Sequence, residues 1–203
     1  MKYLITGLGN IGEKYKNTRH NIGFAILDAW AQASGVVFTD RRYGSLASLK
    51  HRGRTFILLK PSTFVNLSGN AVNYWLKKEK ISADKLLVVV DDISIPFGSM
   101  RLKSKGGDGG HNGLAHINAI LGHGNYARLR FGIGNEFSRG SQVNYVLGEL
   151  SDEEKEILNK RSAMAIDMIK SFGTIGIELT MTRYNKIAKS SGNDEEKSKR
   201  PED

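Results

Sequence analysis

A histidine and an aspartate in this sequence are of the types that activate a water molecule for attack. His20 lies between a polar loop and a predicted helix, where the positive end of the helix dipole favours the neutral imidazole that can act as a base. Asp91 directly follows an apolar strand, and ligands of open α/β sheets bind beyond the carboxyl ends of strands. Asp91 could therefore orient His20, although each residue alone is more often a cap or part of a turn. Asp92 competes for this role, and these residues alone do not decide between the two.

The glycine-rich residues 7–12 could bring the backbone close to a ligand. They read G-L-G-N-I-G, which satisfies the pattern of a turn that binds a dinucleotide such as a nicotinamide cofactor. That motif needs its last glycine to open a helix, whereas residues 13–19 are polar and the helical spacing of apolar residues begins only near Ile22. We therefore favour a close approach of the backbone and of Asn10 to a different ligand.

A second glycine-rich segment, residues 103–113, places cations beside a flexible backbone just before a predicted helix. This arrangement is typical of phosphate binding, but it lacks the G-K-S/T of a nucleotide P-loop. The net charge of +9 also favours a polyanionic partner, the alternative being a merely solvated basic face. The basic residues that could form one surface near this segment are Arg101, Lys103, Lys105, Arg128 and Arg130.

Several classes of protein are disfavoured by composition. The 203 residues contain no cysteine, which excludes a disulfide framework and a cysteine nucleophile. Neither a G-x-S-x-G elbow nor an H-E-x-x-H zinc motif occurs. No apolar run reaches the length of a membrane span and the N-terminus lacks a signal-peptide core, so we expect a soluble cytoplasmic protein.

The elements that must position these residues alternate between strands and helices. Apolar segments predict strands at residues 3–6, 45–50, 55–60, 86–90 and 128–133, with the uninterrupted run at 86–90 in the centre of the sheet. Helical spacing begins near Ile22 and Leu114, and a capping box at Ser151 opens a third helix. We expect one globular α/β domain over residues 1–188 and a disordered charged tail at residues 189–203.

Five segments, taken in order, resemble motifs of the bacterial peptidyl-tRNA hydrolases. They lie at residues 7–12, 15–23, 60–69, 91–98 and 107–113, and residues 128–134 add the similar R-L-R-F-G-I-G. The resemblance covers about residues 1–185. Ile11 stands where proline is usual, Val65 where methionine is usual, and Ser94 where a second acidic residue is common.

The resemblance implies a twisted mixed β-sheet surrounded by helices, in a monomeric enzyme without metal or cofactor. Its partner would be peptidyl-tRNA, whose ester between peptide and tRNA it would hydrolyse with one activated water. His20 would be the general base and Asp91, rather than Asp92, its partner. Lys103 and Arg130 would bind a tRNA phosphate. The residues expected to hold the substrate are Asn10, which we also count as catalytic, Tyr15, Val65, Asn66, His111 and Asn112.

One alternative shares the fold implied by this resemblance but not the chemistry. A protein that binds RNA without cutting it would need only the basic surface. The presence of His20, Asp91 and the three asparagines argues against that alternative.

Overall fold

The computed structural model describes residues 1–198, with side chains described through residue 187. The strands are β1 (Lys2–Gly7), β2 (Thr39–Arg41), β3 (Gly44–His51), β4 (Arg54–Pro61), β5 (Leu86–Asp92), β6 (Met100–Lys103) and β7 (Ala127–Gly132). The helices are α1 (Ile22–Ala33), α2 (Ser68–Glu79), α3 (Asn112–Leu121), α4 (Gln142–Val146), α5 (Asp152–Ile175) and α6 (Ile177–Ser198). Short 3₁₀ turns include Arg19–Asn21 and Val65–Leu67.

The strands form one seven-stranded mixed sheet in the order β2-β3-β4-β1-β5-β7-β6. The four inner strands β4, β1, β5 and β7 are parallel, whereas β3 pairs with β4 and β6 pairs with β7 in antiparallel fashion. The mixed sheet and the β3–β4 hairpin are confirmed. The sequence predicted β5 at the centre of the sheet. The middle strand of the seven is β1, and β5 is its neighbour. The carboxyl ends of the four parallel strands meet at one edge of the sheet.

Helices cover both faces of this sheet, because successive side chains of a strand point to opposite sides. On β1, Ile5 packs into the core formed with α1 and α5, whereas Leu4 packs into the core formed with α2 and α3. Both side chains are fully buried. A strand with apolar residues on both faces is therefore the central element that a two-sided sheet requires.

The start of α1 lies unusually close to the edge of the sheet. A Cβ atom added at Gly23 would lie 2.5 Å from the backbone nitrogen of Leu8 and 2.6 Å from the carbonyl oxygen of Val89. Only glycine permits this approach, since those neighbours are backbone atoms that cannot move aside. The close packing brings the turn that carries His20 over the end of β5, where Asp91 lies.

Helix α5 begins at the capping box predicted from the sequence. The Ser151 hydroxyl accepts a hydrogen bond from the backbone nitrogen of Glu154, and the Glu154 carboxylate accepts one from the backbone nitrogen of Ser151. No helix within the described residues is long and apolar enough to cross a membrane.

Helix α6 covers the open edge of strand β6. The Asn185 side chain accepts a hydrogen bond from the backbone nitrogen of Leu102 at 2.8 Å and donates one to its carbonyl oxygen at 3.0 Å. The backbone of α6 continues to Ser198, into the segment at residues 189–203 that composition predicts to be a disordered tail. Residues 199–203 lie outside the described part of the chain, so the tail stays a prediction.

Candidate active site

The carboxylate of Asp91 lies at the centre of a cluster at the end of β5. Its side chain is buried, and both of its oxygens lie 3.1 Å from Nδ1 of His20. Nε2 of His111 lies 3.0 Å from Oδ1 of the same carboxylate. Asp92 instead pairs with Arg130. The predicted choice of Asp91 over Asp92 as the partner of His20 is thus confirmed.

His111 holds Asp91 from the amino-terminal end of α3. Its Nδ1 accepts hydrogen bonds from the backbone nitrogens of Gly113 at 3.1 Å and Leu114 at 3.4 Å. A backbone N–H can only donate, so the proton of a neutral His111 imidazole lies on Nε2 and points at Asp91. The sequence predicted a substrate-binding role for His111. Its hydrogen bonds are instead to Asp91 and to the backbone of α3, although the side chain does line the pocket.

Electrostatics hold Asp91 ionised and make His20 more basic. Burial opposes charge on both groups, which lowers the pKa of His20 and raises that of Asp91. The charge of Asp91 and its hydrogen bond outweigh burial at His20, so the His20 pKa lies above its ordinary value. The two imidazoles outweigh burial at Asp91, whose pKa lies far below its usual range. The raised pKa favours the imidazolium form of His20, whereas the helix dipole inferred from the sequence would favour the neutral form.

The side chain of Asn10 is oriented by its neighbours so that its amide nitrogen is left for a ligand. Its Oδ1 accepts a hydrogen bond from the backbone nitrogen of Val65 at 2.9 Å, which fixes which end of the amide faces the pocket. The backbone of Asn10 is held by Asn21: the Asn10 N–H donates to Oδ1 at 2.8 Å, and Nδ2 of Asn21 donates to the Asn10 carbonyl at 2.9 Å. Sequence reasoning missed Asn21, although it directly follows His20.

A cavity of about 380 Å³ opens beside this cluster. Asn66 and Asn112 line it with exposed side chains, and Val65 contributes at the buried end. Tyr15 does not line the cavity, although a substrate-binding role was predicted for it; it lies on the 3₁₀ turn Glu13–Tyr15, with Nζ of Lys14 over its ring. Of the six residues predicted to hold the substrate, the structure thus brings five to the cavity, the exception being Tyr15.

One wall of the cavity comes from α4, which sequence reasoning missed. Gln142, Val143, Val146 and Leu147 line it, and Val143 is 67% exposed. Apolar residues at positions 143, 146 and 147 have helical spacing and were the available signal. Arg19 ties this helix to the catalytic turn, because its guanidinium pairs with Glu154 at 2.7 Å and donates to the carbonyl of Tyr145.

Four of the five predicted tRNA-binding cations share one face of the strand pair β6–β7. Arg101 lies opposite Arg130, and Lys103 lies opposite Arg128, which places their side chains on the same side of the sheet. Lys105 follows β6 and is exposed. Like charges directly opposite each other repel, so this face favours a polyanion.

Arg128 is the exception among these cations, because it is 2% exposed. Its guanidinium donates to Oδ1 of Asn118 at 3.2 Å and to the carbonyl of Gly124 at 3.4 Å. Arg128 therefore holds the loop at Gly124, and its predicted contact with phosphate stays a prediction. Arg130 is partly neutralised, since it pairs with Asp92 and donates to the Ser94 hydroxyl at 3.2 Å.

The His20, Asp91 and His111 side chains could also be considered as metal ligands. One ligand atom from each lies within 4.8 Å of the others. Nδ1 of His20 and Nε2 of His111 already contact the Asp91 carboxylate within hydrogen-bond distance, and a metal bound through these atoms would have to replace those bonds. We therefore interpret the cluster as a hydrogen-bonded acid–base group, and the absence of a metal remains a prediction from the sequence.

The dinucleotide-binding alternative requires an α-helix that begins at Gly12, and the structure has none there. Gly12 is followed by a short 3₁₀ turn, and α1 begins only at Ile22. A Cβ atom at Gly9 would lie 2.9 Å from Oδ1 of Asn21, so this glycine permits the packing of Asn21 against the loop. The glycines thus shape the segment that carries Asn10, and the close approach of this segment to a ligand stays a prediction.

Comparisons with known proteins give one consistent result. The family model described as peptidyl-tRNA hydrolase matches residues 4–193. Proteins named peptidyl-tRNA hydrolase from Phocaeicola vulgatus and Porphyromonas gingivalis are 62% and 53% identical to this chain, and the matches cover 92% and 91% of it and 100% of each relative. A crystal structure of peptidyl-tRNA hydrolase from Acinetobacter baumannii matches with a TM-score of 0.84 and 32% identity, over 90% of this chain and 94% of that one.

Replacing Asn21 with alanine tests whether it holds the Asn10 loop. Two buried hydrogen bonds would be lost and the backbone groups of Asn10 left without partners, so the free energy of unfolding should fall by about 2–4 kcal/mol. Urea denaturation measures this loss. The control is Asn125→Ala, which removes the amide of an exposed asparagine and should hardly change the free energy of unfolding. Equal stability of the two variants would contradict the assigned role of Asn21.

Proposed function

This chain belongs to the peptidyl-tRNA hydrolase family and is a hydrolase that acts on peptidyl-tRNA, and we propose that His20 activates the water that cuts the ester. The observation that carries this proposal is the bond from Nδ1 of His20 to the buried carboxylate of Asp91. That bond places the proton of a neutral His20 on Nδ1. It leaves Nε2 as the basic atom of a side chain that lines the cavity.

The reaction then follows in two proton transfers. Nε2 of His20 takes a proton from water as the water oxygen attacks the ester carbonyl carbon. Asp91 stabilises the resulting imidazolium, in the way a buried aspartate does in a catalytic triad. When the tetrahedral intermediate collapses, the bond to the tRNA ribose oxygen breaks, and this oxygen receives the proton back from His20. The products are a tRNA with its terminal hydroxyl restored and a peptide carboxylic acid, which then loses its proton to water.

Asn10 is the donor best placed for the developing oxyanion. Its Oδ1 is occupied by the backbone nitrogen of Val65, so both N–H groups of Nδ2 remain for the substrate. A preorganised donor of this kind stabilises the transition state because it need not reorient during the reaction. Asn66 and Asn112 offer similar amides at the exposed side of the cavity, where they can bind a peptide backbone whatever its side chains.

His111 is a positioning residue in this mechanism. It fixes Oδ1 of Asp91 through its Nε2, and α3 fixes His111 in turn through Nδ1. The carboxylate therefore keeps its orientation toward His20 whether or not the substrate is bound.

Under this proposal, Lys103 is the main residue that binds a phosphate group of the tRNA. Within the described residues Lys103 has no ion pair, whereas Arg130 shares its charge with Asp92. Arg101 and Lys105 extend the same basic face on the exposed side. We further propose that the protein acts as a cytoplasmic monomer. The alternative of an RNA-binding protein without activity is not favoured, because the His20–Asp91 pair is intact.

Replacing His20 with alanine should reduce kcat for N-acetylaminoacyl-tRNA by at least about 100-fold, because the general base is lost. The Kd for deacylated tRNA should stay nearly the same, since His20 does not belong to the basic face. Release of the labelled amino acid measures the first quantity and filter binding the second. His51→Ala, at the far end of the β3–β4 hairpin, is the matched control. A folded His20→Ala protein with normal turnover would remove His20 from the mechanism.

Asp91→Asn tests the electrostatic role of the carboxylate through the pH dependence of kcat. Only the neutral imidazole is a base, so kcat rises as pH increases through the His20 pKa and then levels off. Asp91 raises that pKa, and its loss should therefore move the rise to lower pH while the plateau falls. Asp92→Asn should leave the pH of the rise nearly unchanged. If Asp92→Asn changed the pH dependence more than Asp91→Asn, the assignment of Asp91 as the partner of His20 would be wrong.

Lys103→Ala should weaken the binding of deacylated tRNA and reduce the slope of log K against log salt by roughly 0.7–0.9 for one lost phosphate contact. Arg130→Ala should reduce the slope less, because part of its charge is already paired with Asp92. Binding measured at several salt concentrations gives both slopes. If both variants kept the wild-type slope, the tRNA would have to lie on another face.

A further inference from the structure

A second hollow lies on the exposed side of α2, where the turn before β3 packs against that helix. It encloses about 660 Å³. Its lining combines positive charge, aromatic rings and amides, and it contains no carboxylate. The residues that line it are Arg42, Tyr43, Asn70, Asn73, Tyr74, Lys77 and Lys78.

The backbone at this hollow is held in a conformation that a tyrosine rarely adopts. Tyr43 has φ of 65°, in the left-handed region where its Cβ is crowded. Arg42 and Tyr43 form the turn between the antiparallel strands β2 and β3. Two hydrogen bonds hold this turn: Nε1 of Trp75 donates to the Arg42 carbonyl and the backbone nitrogen of Ser62 donates to the Tyr43 carbonyl, each at 2.9 Å. Residues held in such conformations cluster at ligand sites. The turn sets the Tyr43 ring at 5.4 Å and 68° to the Tyr74 ring.

The cations of the hollow are not neutralised by neighbouring acids. Arg42, Lys77 and Lys78 form no ion pair with any described residue. Glu79 is the acidic residue next to them in sequence, and it pairs with Lys2 at 2.8 Å instead. The Arg42 guanidinium lies 5.2 Å from the ring centres of both tyrosines. A guanidinium that forms no ion pair and lies beside aromatic rings offers a planar surface as well as a charge.

The hollow is separate from both the active site and the basic face of β6–β7. No described residue lines both this hollow and the catalytic cavity, although Asn70 of the hollow lies only four residues after Asn66; Lys77 lies seven residues beyond Asn70, or roughly 10 Å at 1.5 Å per residue. Strands β4, β1 and β5 separate β3 from β7, which is roughly 19 Å at the usual strand spacing. The two basic surfaces therefore flank the catalytic pocket on opposite sides.

We propose that this hollow is a second RNA-binding site, which takes an unpaired nucleotide. Arg42, Lys77 and Lys78 bind its phosphate, while the base stacks on the Tyr43 ring and the Arg42 guanidinium. Asn70 and Asn73 offer donors and acceptors to the edge of the base. A phosphate alone would not account for the rings and amides, whereas a nucleotide in a single strand uses all three kinds of group. This proposal does not rest on the catalytic mechanism.

The probe for this site is a fluorescent single-stranded hexaribonucleotide, with binding measured by anisotropy. Tyr43→Gly should weaken binding by about fivefold or more, the loss expected for one stacked base. Its unfolding midpoint should not fall, because glycine accepts the left-handed conformation without strain. Lys77→Ala should weaken binding and reduce the salt slope by about 0.7. Lys50→Ala, an exposed lysine near the other end of β3, is the matched control for the loss of one charge.

Deacylated tRNA distinguishes two sources of the nucleotide. If saturating tRNA displaces the hexamer from wild-type protein, part of the tRNA itself occupies the hollow; if the hexamer stays bound, the site takes a separate RNA strand. Both results support the site, provided that Tyr43→Gly has lowered hexamer affinity. Wild-type hexamer affinity in Tyr43→Gly, or equal effects of Lys77→Ala and Lys50→Ala, would overturn the proposal.

Discussion

A carboxylate buried at the end of a strand must be surrounded by hydrogen-bond donors, since an ionised group removed from water is otherwise strongly unfavourable. Asp91 obtains one N–H from His20, just before α1, and another from His111, which caps α3. These two helices cover opposite faces of the sheet. The hydrogen bonds that the Asp91 carboxylate requires therefore connect the helix layers on the two faces of the sheet. The bond between His20 and Asp91 places the proton of a neutral His20 on Nδ1, which leaves Nε2 as the basic nitrogen that the proposed mechanism uses.

Much of this arrangement could be predicted because its determinants are local in sequence. The apolar run of β5 predicted a strand buried on both faces, and the capping box at Ser151 predicted the start of α5. The order of motifs gave His20 and Asp91, and the sheet then brings them together from positions 71 residues apart. Parallel strands place their carboxyl ends at one edge, so residues that follow different strands become neighbours.

Other features could not be predicted because they depend on which partner a side chain meets in three dimensions. Arg128 has the same residue type as its neighbours on the basic face, yet it turns inward to Asn118. Arg130 meets Asp92 across two adjacent strands, which reduces the charge it presents. The turn at Tyr43 depends on a hydrogen bond from Trp75, which lies 33 residues from its acceptor in the sequence. Composition reports how many charges a chain carries but not which of them remain available.

The two hydrogen bonds between Asn185 and Leu102 have a consequence for the order in which the molecule is completed. They satisfy the outer edge of β6, which would otherwise be a free strand able to pair with another chain. Synthesis proceeds from the N-terminus, so α6 leaves the ribosome after all seven strands of the described sheet. Until then the strand that carries Lys103 has one open side. While the nascent chain is still attached to its own tRNA, it thus exposes a strand edge that only the later helix covers.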